Sequence, residues 1–194
     1  GRRRVWLRHV AAITISVAFL LPLYLMLSGS LRPAGGPPPR TPDLVPSPLA
    51  WENYSRAFEL VDIPRYIVNS LIVVAFAVPL TVLTASWAAF AMTRLPRRWA
   101  GALVALSLVV LMVPLTALLV PRFVIFRHLG LIDTYAPLIA PALMGTSPFY
   151  VLLYYWAFKR LPGELFEAAR LEGLGPLAIW RRVAMPLVRP VTVA

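Results

Sequence analysis

The residues best suited to specific chemistry sit near the carboxyl end. They run Glu167-Ala168-Ala169-Arg170-Leu171-Glu172-Gly173 and then, nine residues after the glycine, Val183-Ala184-Met185-Pro186. A carboxylate beside two small side chains and a glycine suits close docking and ion pairing rather than bond-making. Pro162 is expected at a first helical position, where its missing N–H costs nothing, and Glu164 and Glu167 then fall where the helix dipole favours carboxylates. Gly173 is a natural stop, Gly175-Pro176 a turn and second start, and Pro186 a second stop. A helix of about ten residues is marginal alone in water, so the first of this pair needs a surface to lie against.

Covalent chemistry lacks its ingredients elsewhere. The chain has no cysteine, one lysine (Lys159) and two histidines, His9 and His128, the latter expected as a solvated loop residue. No paired carboxylates, metal-ligand spacing or phosphate-cradling Gly-x-x-x-x-Gly-Lys-Ser/Thr run is present. The net charge of +11 raises nucleic acid as a partner, but the arginines form no stripe with interleaved aromatics. They stand at the ends of apolar runs, where they reach anionic lipid headgroups, so nucleic acid is not expected.

Those apolar runs must position the motif. With 59% hydrophobic and 14% charged residues, the chain has too little charge to cover a water-soluble domain. Residues 10–31, 66–93, 99–121 and 134–158 carry no charge and are each at least 22 residues long. At about 1.5 Å per residue that exceeds a bilayer core of about 30 Å. The expectation is an all-α integral membrane protein, a polytopic helical bundle with four spans. Residues 32–65 form an outer segment, 159–189 a cytoplasmic loop, and a fifth span begins near 190. Arg2, Arg3, Arg4 and Arg8, then Arg94, Arg97 and Arg98, then the basic residues of 159–189 all fall on one side, which retention of cations in cytoplasmic loops makes the inner one. The amino terminus is thus expected in the cytoplasm. The first run is too long for a signal peptide despite Ser28-Gly29-Ser30, and is read as a retained anchor bent at Pro22.

Proline and glycine crowd the start of the outer segment at Gly35-Gly36-Pro37-Pro38-Pro39 and forbid regular structure there. Further on, Ser47 and Pro48 are expected as cap and first residue of an interfacial helix carrying Trp51, Tyr54, Phe58 and Val61 on one face. That helix would pack on the protein's own spans or meet an external binding protein. Within the spans, Pro79, Pro114, Pro137, Pro141 and Pro148 remove backbone donors and bend the helices, while Asn69, Ser70, Thr81, Thr84, Ser86, Thr116, Thr146 and Ser147 supply hydrogen bonds. A neutral sugar needs such groups with aromatic faces, so Asn69, Ser70, Tyr150 and Tyr154 are candidates for a solute path; Tyr155 and Trp156 lie beside them. For any one of these residues, helix packing or a place in the interfacial belt is the simpler explanation. No ionisable group other than tyrosine lies in the spans, so a proton- or sodium-coupled carrier is disfavoured and the energy must come from a partner.

The loop pattern resembles the signature Glu-Ala-Ala, three residues, Gly, nine residues, Ile, any residue, Leu-Pro of the membrane subunits of bacterial ABC importers, with Val183 and Met185 as conservative departures. Trp51-Glu52-Asn53-Tyr54 with Phe58, Asn69-Ser70-Leu71, Leu129-Gly130-Leu131-Ile132-Asp133-Thr134 and Pro148-Phe149 resemble its carbohydrate-uptake branch, specifically the maltose-type second permease. The resemblance implies an inner-membrane permease pairing with a second permease subunit as a heterodimer. It implies an extracytoplasmic solute-binding protein that delivers a sugar, and two ATP-binding subunits that carry ATP and Mg, so that this chain has no cofactor and is no enzyme. Glu167, Ala168, Ala169, Gly173, Val183, Met185 and Pro186 become the ATPase-docking coupling loop. Members of the family have six spans, so a chain starting at Gly1 and ending at Ala194 is expected to be a piece of a longer protein. An importer of amino acids, phosphate or peptides would share the loop, and a four-span scaffold or regulatory partner is the reading from another class.

Overall fold

The computed structural model describes residues 2–36 and 44–193, with side chains from Val5 onward. The side chains of Arg2, Arg3 and Arg4, together with Pro37, Pro38, Pro39 and Arg40, lie outside the described residues, as does Ala194. Two compact units form, residues 1–67 and 68–194. The described residues are helical throughout, without strands.

In the first unit, α1 (Arg2–Ser30) is apolar on every side. Phe19 and Met26 are 76% and 72% exposed, so hydrocarbon rather than a protein core must solvate this helix. Its last carbonyls find donors in the outer segment. The Asn53 amide donates to Ser30 O at 2.9 Å and Arg32 O at 2.6 Å, and the Ser30 and Tyr54 hydroxyls meet at 2.7 Å. A helix end needs such partners for carbonyls that have no intrahelical donor. The outer helix, α2 (Glu52–Leu60), does not start at Ser47-Pro48. Ala50 N–H instead donates to Leu31 O at 2.8 Å, which ties the preceding stretch back to α1 and delays the first helical turn to Trp51.

The second unit holds most of α3 (Ile63–Met92), which passes through Pro79 unbroken. The stretch read as a third span is two helical pieces. After α4 (Arg97–Leu111), Pro114 takes an extended ψ of 131°, and a 3-10 turn (Leu115–Leu118) leads into α5 (Leu119–His128); the two pieces meet at 86°. Proline cannot donate to the preceding turn, so the apolar run continues while the helix does not. Next come α6 (Ala136–Ile139) and a 3-10 turn (Ala140–Met144), ending at Gly145. Then α7 (Pro148–Lys159) begins with Ser147 Oγ accepting from Phe149 N–H at 3.2 Å. Hydroxyls on α3 tie this broken stretch to the span. Thr84 Oγ1 donates to Ala142 O at 2.7 Å, and the Thr81 and Thr146 hydroxyls bond each other. In a bilayer interior such partners replace water.

Four helical pieces follow: α8 (Gly163–Leu171), α9 (Pro176–Ile179), α10 (Met185–Leu187) and α11 (Arg189–Val193), with a π-helical turn at Trp180–Ala184 joining α9 to α10. Pro186 lies just past that turn. It offers no N–H to the Arg182 carbonyl and its ring crowds it, and a widened turn relieves both. The buried core gathers where α3, α7 and this loop meet. It joins Ala85, Ala89 and Phe90 of α3 to Tyr154, Tyr155 and Phe158 of α7 and to Ala169, Ile179, Trp180 and Ala184 of the loop. Alanines one turn apart on α3 let neighbouring backbones close in. By length and apolarity three helical stretches among the described residues can cross a membrane, or four if the bent pair is one span.

Gly145 occupies the left-handed region at φ +73°, and a Cβ there would stand 3.3 Å from both Ala85 Cβ and Val151 Cγ2. Gly145→Ala is therefore expected to destabilise the protein by at least about 1 kcal/mol, seen as a lower thermal midpoint in detergent.

Candidate functional site

Pro162 precedes α8 as its N-cap at φ −59°, so Gly163 rather than proline opens the helix. The end is sharper. Gly173 N–H donates to Arg170 O at 2.9 Å and Leu174 N–H to Ala169 O at 3.0 Å, with Gly173 at φ +78°. Paired 5→2 and 6→1 bonds around a left-handed residue form a Schellman close, which satisfies two orphan carbonyls and turns the chain away. Only glycine reaches that conformation without strain.

The capped helix has two distinct faces. Ala169 is buried at 5% exposure and Phe166 half-buried, both toward the core. Glu164, Glu167, Ala168 and Leu171 are exposed at helical spacing on the other side, with Leu171 at 90%. A leucine exposed almost wholly beside a small alanine and two carboxylates leaves apolar area whose covering would gain free energy. Leu171 follows Glu167 and Ala168 by four and three residues, a spacing that placed it on their face before any coordinates. Of the remaining motif residues, Val183 and Met185 are half-buried and pack against the core, whereas Pro186 is exposed. The motif thus divides between a presented face (Glu167, Ala168) and the packing beneath it (Ala169, Val183, Met185).

Beneath α8 lies a layer of aromatic rings. Phe90 meets Phe158 edge to face at 5.7 Å and Phe166 at 6.2 Å, and Phe158 stacks on Tyr154 at 5.8 Å. The Arg94 guanidinium sits 4.4 Å from the Phe90 centroid and 5.7 Å from that of Phe166. Its pKa is lowered, first by burial and then by the neighbouring Arg170 cation. Trp180 packs edge to face on Trp87 at 5.4 Å, and its buried indole N–H has no hydrogen-bond acceptor among the described residues. Neither Arg94 nor Phe166 belongs to the sequence motif.

Of the candidate path residues, Tyr150 and Tyr154 come together. They line a cavity of about 330 Å³ with the hydroxyls of Thr81, Thr146 and Thr192, and Tyr154 OH donates to Thr192 Oγ1 at 3.1 Å. Asn69 and Ser70 do not line it; Asn69 Oδ1 accepts from Tyr135 OH at 2.7 Å. Thr192 lies beyond the loop signature, where sequence reading had no periodicity to work with. Among the described residues no cluster of His, Asp and Glu is arranged to hold a metal ion.

The hairpin and the apolar helices that carry it lie within one stretch that matches a known family. Residues 60–194 match the model of the binding-protein-dependent transport system inner membrane component. The chain belongs to that family. It is 28% identical over 182 residues to the melibiose/raffinose/stachyose import permease protein MelC of Bacillus subtilis (strain 168), covering 93% of this chain and 65% of that one. It is 29% identical over 190 residues to the trehalose transport system permease protein SugB of Mycobacterium tuberculosis (strain CDC 1551 / Oshkosh), covering 98% and 68%. The diacetylchitobiose uptake system permease protein NgcG of Streptomyces coelicolor is 29% identical over 189 residues, covering 97% and 62%. The chain therefore spans about two thirds of the length of these relatives. It is a multi-pass membrane protein of a permease family.

The two alanines of the motif separate experimentally. Ala169→Leu is expected to cost about 1–3 kcal/mol by overpacking, read from the thermal midpoint in detergent. Ala168→Leu, on the exposed face, should change stability by no more than about 0.5 kcal/mol.

Proposed function

We propose that the protein is the membrane permease subunit of an ATP-driven, binding-protein-dependent sugar importer, forming half of the solute path. The observation that carries this reading is the exposed ridge of Glu164, Glu167, Ala168 and Leu171 on a helix whose opposite face is fixed to the spans. An unburied ridge on a rigidly mounted short helix transmits motion: a partner that grips it moves the spans behind it as a body. The partner would be one of a pair of ATP-binding subunits, which hold ATP and Mg and perform the hydrolysis. Glu167 would pair with a basic group there, Ala168 would permit close approach, and Leu171 would fill an apolar recess. Closure of the ATP-binding pair would draw this helix toward its counterpart on a second permease subunit and switch the path between inward and outward access.

Two features support a sugar. Relatives that resemble the chain along nearly all of its length are named for melibiose, raffinose, stachyose, trehalose and diacetylchitobiose. The cavity beside Tyr150 and Tyr154 offers hydroxyls and aromatic faces with no charged lining, which suits a neutral polyol. A solute-binding protein would deliver it from outside. The basic clusters around Arg94, Arg97 and Arg98 and along 159–189 support a cytoplasmic loop and a cytoplasmic amino terminus.

In the complete importer, Glu167→Ala combined with Gly173→Asp should abolish solute-stimulated ATP hydrolysis while membrane levels of the subunit stay normal. Unchanged stimulation would end the docking assignment. In transport assays with radiolabelled solutes, di- and oligosaccharides should be taken up and amino acids, phosphate and peptides should not; accumulation of any of these three would overturn the sugar reading.

A further inference from the structure

We infer that Arg94 is the positioning residue that locks the docking helix α8 to the span α3, through a cation held between the rings of Phe90 and Phe166. This inference rests on the docking reading for its functional consequence, though not for its structural content. A nine-residue helix does not hold itself in place, and α8 has few inward anchors: Ala169, whose methyl group contributes little area, and Phe166. Arg94 lies just past the end of α3. Its guanidinium is 4.4 Å from the centroid of Phe90 on that helix and 5.7 Å from that of Phe166 on α8, inside the range of about 6 Å where a cation is drawn to a ring face. Phe90 also meets Phe158, so α3, α7 and α8 converge on one cation and three rings.

The ring contacts set the role, and the burial that lowers the Arg94 pKa, with the Arg170 cation beside it, leaves the rings as its partners. Glu167 lines the same cleft of about 230 Å³, yet the rings hold the guanidinium and the carboxylate keeps its place on the exposed face. A planar guanidinium can lie flat against an aromatic face, and a lysine ammonium does this less well. The arrangement carries displacement of α8 into α3 and α7 together, and through the Phe158–Tyr154 stack toward the hydroxyl-lined cavity.

The test uses the full-length subunit in lipid nanodiscs, first alone and then assembled with its partners. In the subunit alone, Arg94→Gln should speed hydrogen exchange of the α8 amides about threefold to tenfold while α7 is unaffected, with Arg94→Lys intermediate. In the assembled importer, Arg94→Gln should lower solute-stimulated ATP hydrolysis at least about fivefold, leaving basal hydrolysis and subunit level intact. Unchanged α8 exchange in Arg94→Gln overturns the inference. If that variant loosens α7 as well, Phe166→Leu decides: acceleration confined to α8 supports the lock, and none refutes it. A wild-type assembly whose ATP hydrolysis ignores solute would refute the docking reading, while the exchange result would still judge the lock.

Discussion

In hydrocarbon a backbone carbonyl without a donor has no water to turn to, and this constraint organises the molecule. Pro114 follows the end of one helix and Pro137, Pro141 and Pro148 stand at the starts of others, so the apolar sequence is cut into pieces whose ends leave polar backbone to be satisfied. Around residues 140–147, Ala142 O accepts from both Gly145 N–H and the Thr84 hydroxyl of α3, and the Thr81 hydroxyl meets that of Thr146, which fastens α3 to the start of α7. At the end of α1 the answer comes from Asn53, which fixes the outer segment in its own unit. Thus the hydroxyl and amide groups that look like solute ligands in the sequence are in part already occupied. Asn69 and Thr84 are committed to protein partners, and around the cavity Thr81 bonds Thr146 and Tyr154 bonds Thr192, so a solute would meet these hydroxyls only by sharing or exchanging those bonds.

The second organising fact is where burial occurs. Most of the apolar surface faces outward, as expected of a lipid-solvated chain, and tight packing concentrates where α3 and α7 reach the polar loop. Dispersion contacts and small side chains, rather than expulsion of water, must hold helices together in a bilayer. Ala85, Ala89, Ala169 and Ala184, all nearly inaccessible, supply the close approach, and aromatic rings fill the remaining space. The result is stiff beneath α8 and open above it, the mechanical profile of an element that is pushed from outside.

Local chemistry was the legible part of the sequence. Gly173 announced its stop because left-handed backbone needs glycine, and the family signature read directly from spacing; the long apolar stretches announced a membrane protein by length alone. The failures share a cause, which is that tertiary ties are invisible to local pattern. Ser47 and Pro48 have the chemistry of a helix start, but the tie from Ala50 to Leu31 postpones it. The bend expected at Pro114 is present, but nothing local to the stretch from 99 to 121 gives its size of 86°. Arg94 reads as one more cytoplasmic cation, since nothing in its neighbours in sequence shows that Phe166 lies within reach, whereas Leu171 shares a helix face with Glu167 and Ala168 by spacing alone although it stands outside the family signature.

The π-helical turn from Trp180 to Ala184 has a geometric corollary. A wide turn inserts one surplus residue into a helical path, so the backbone beyond it is offset by about 100° from where an uninterrupted α-helix would carry it. Residues after Ala184 therefore face a side that unbroken helical spacing counted from Pro176 would not assign to them.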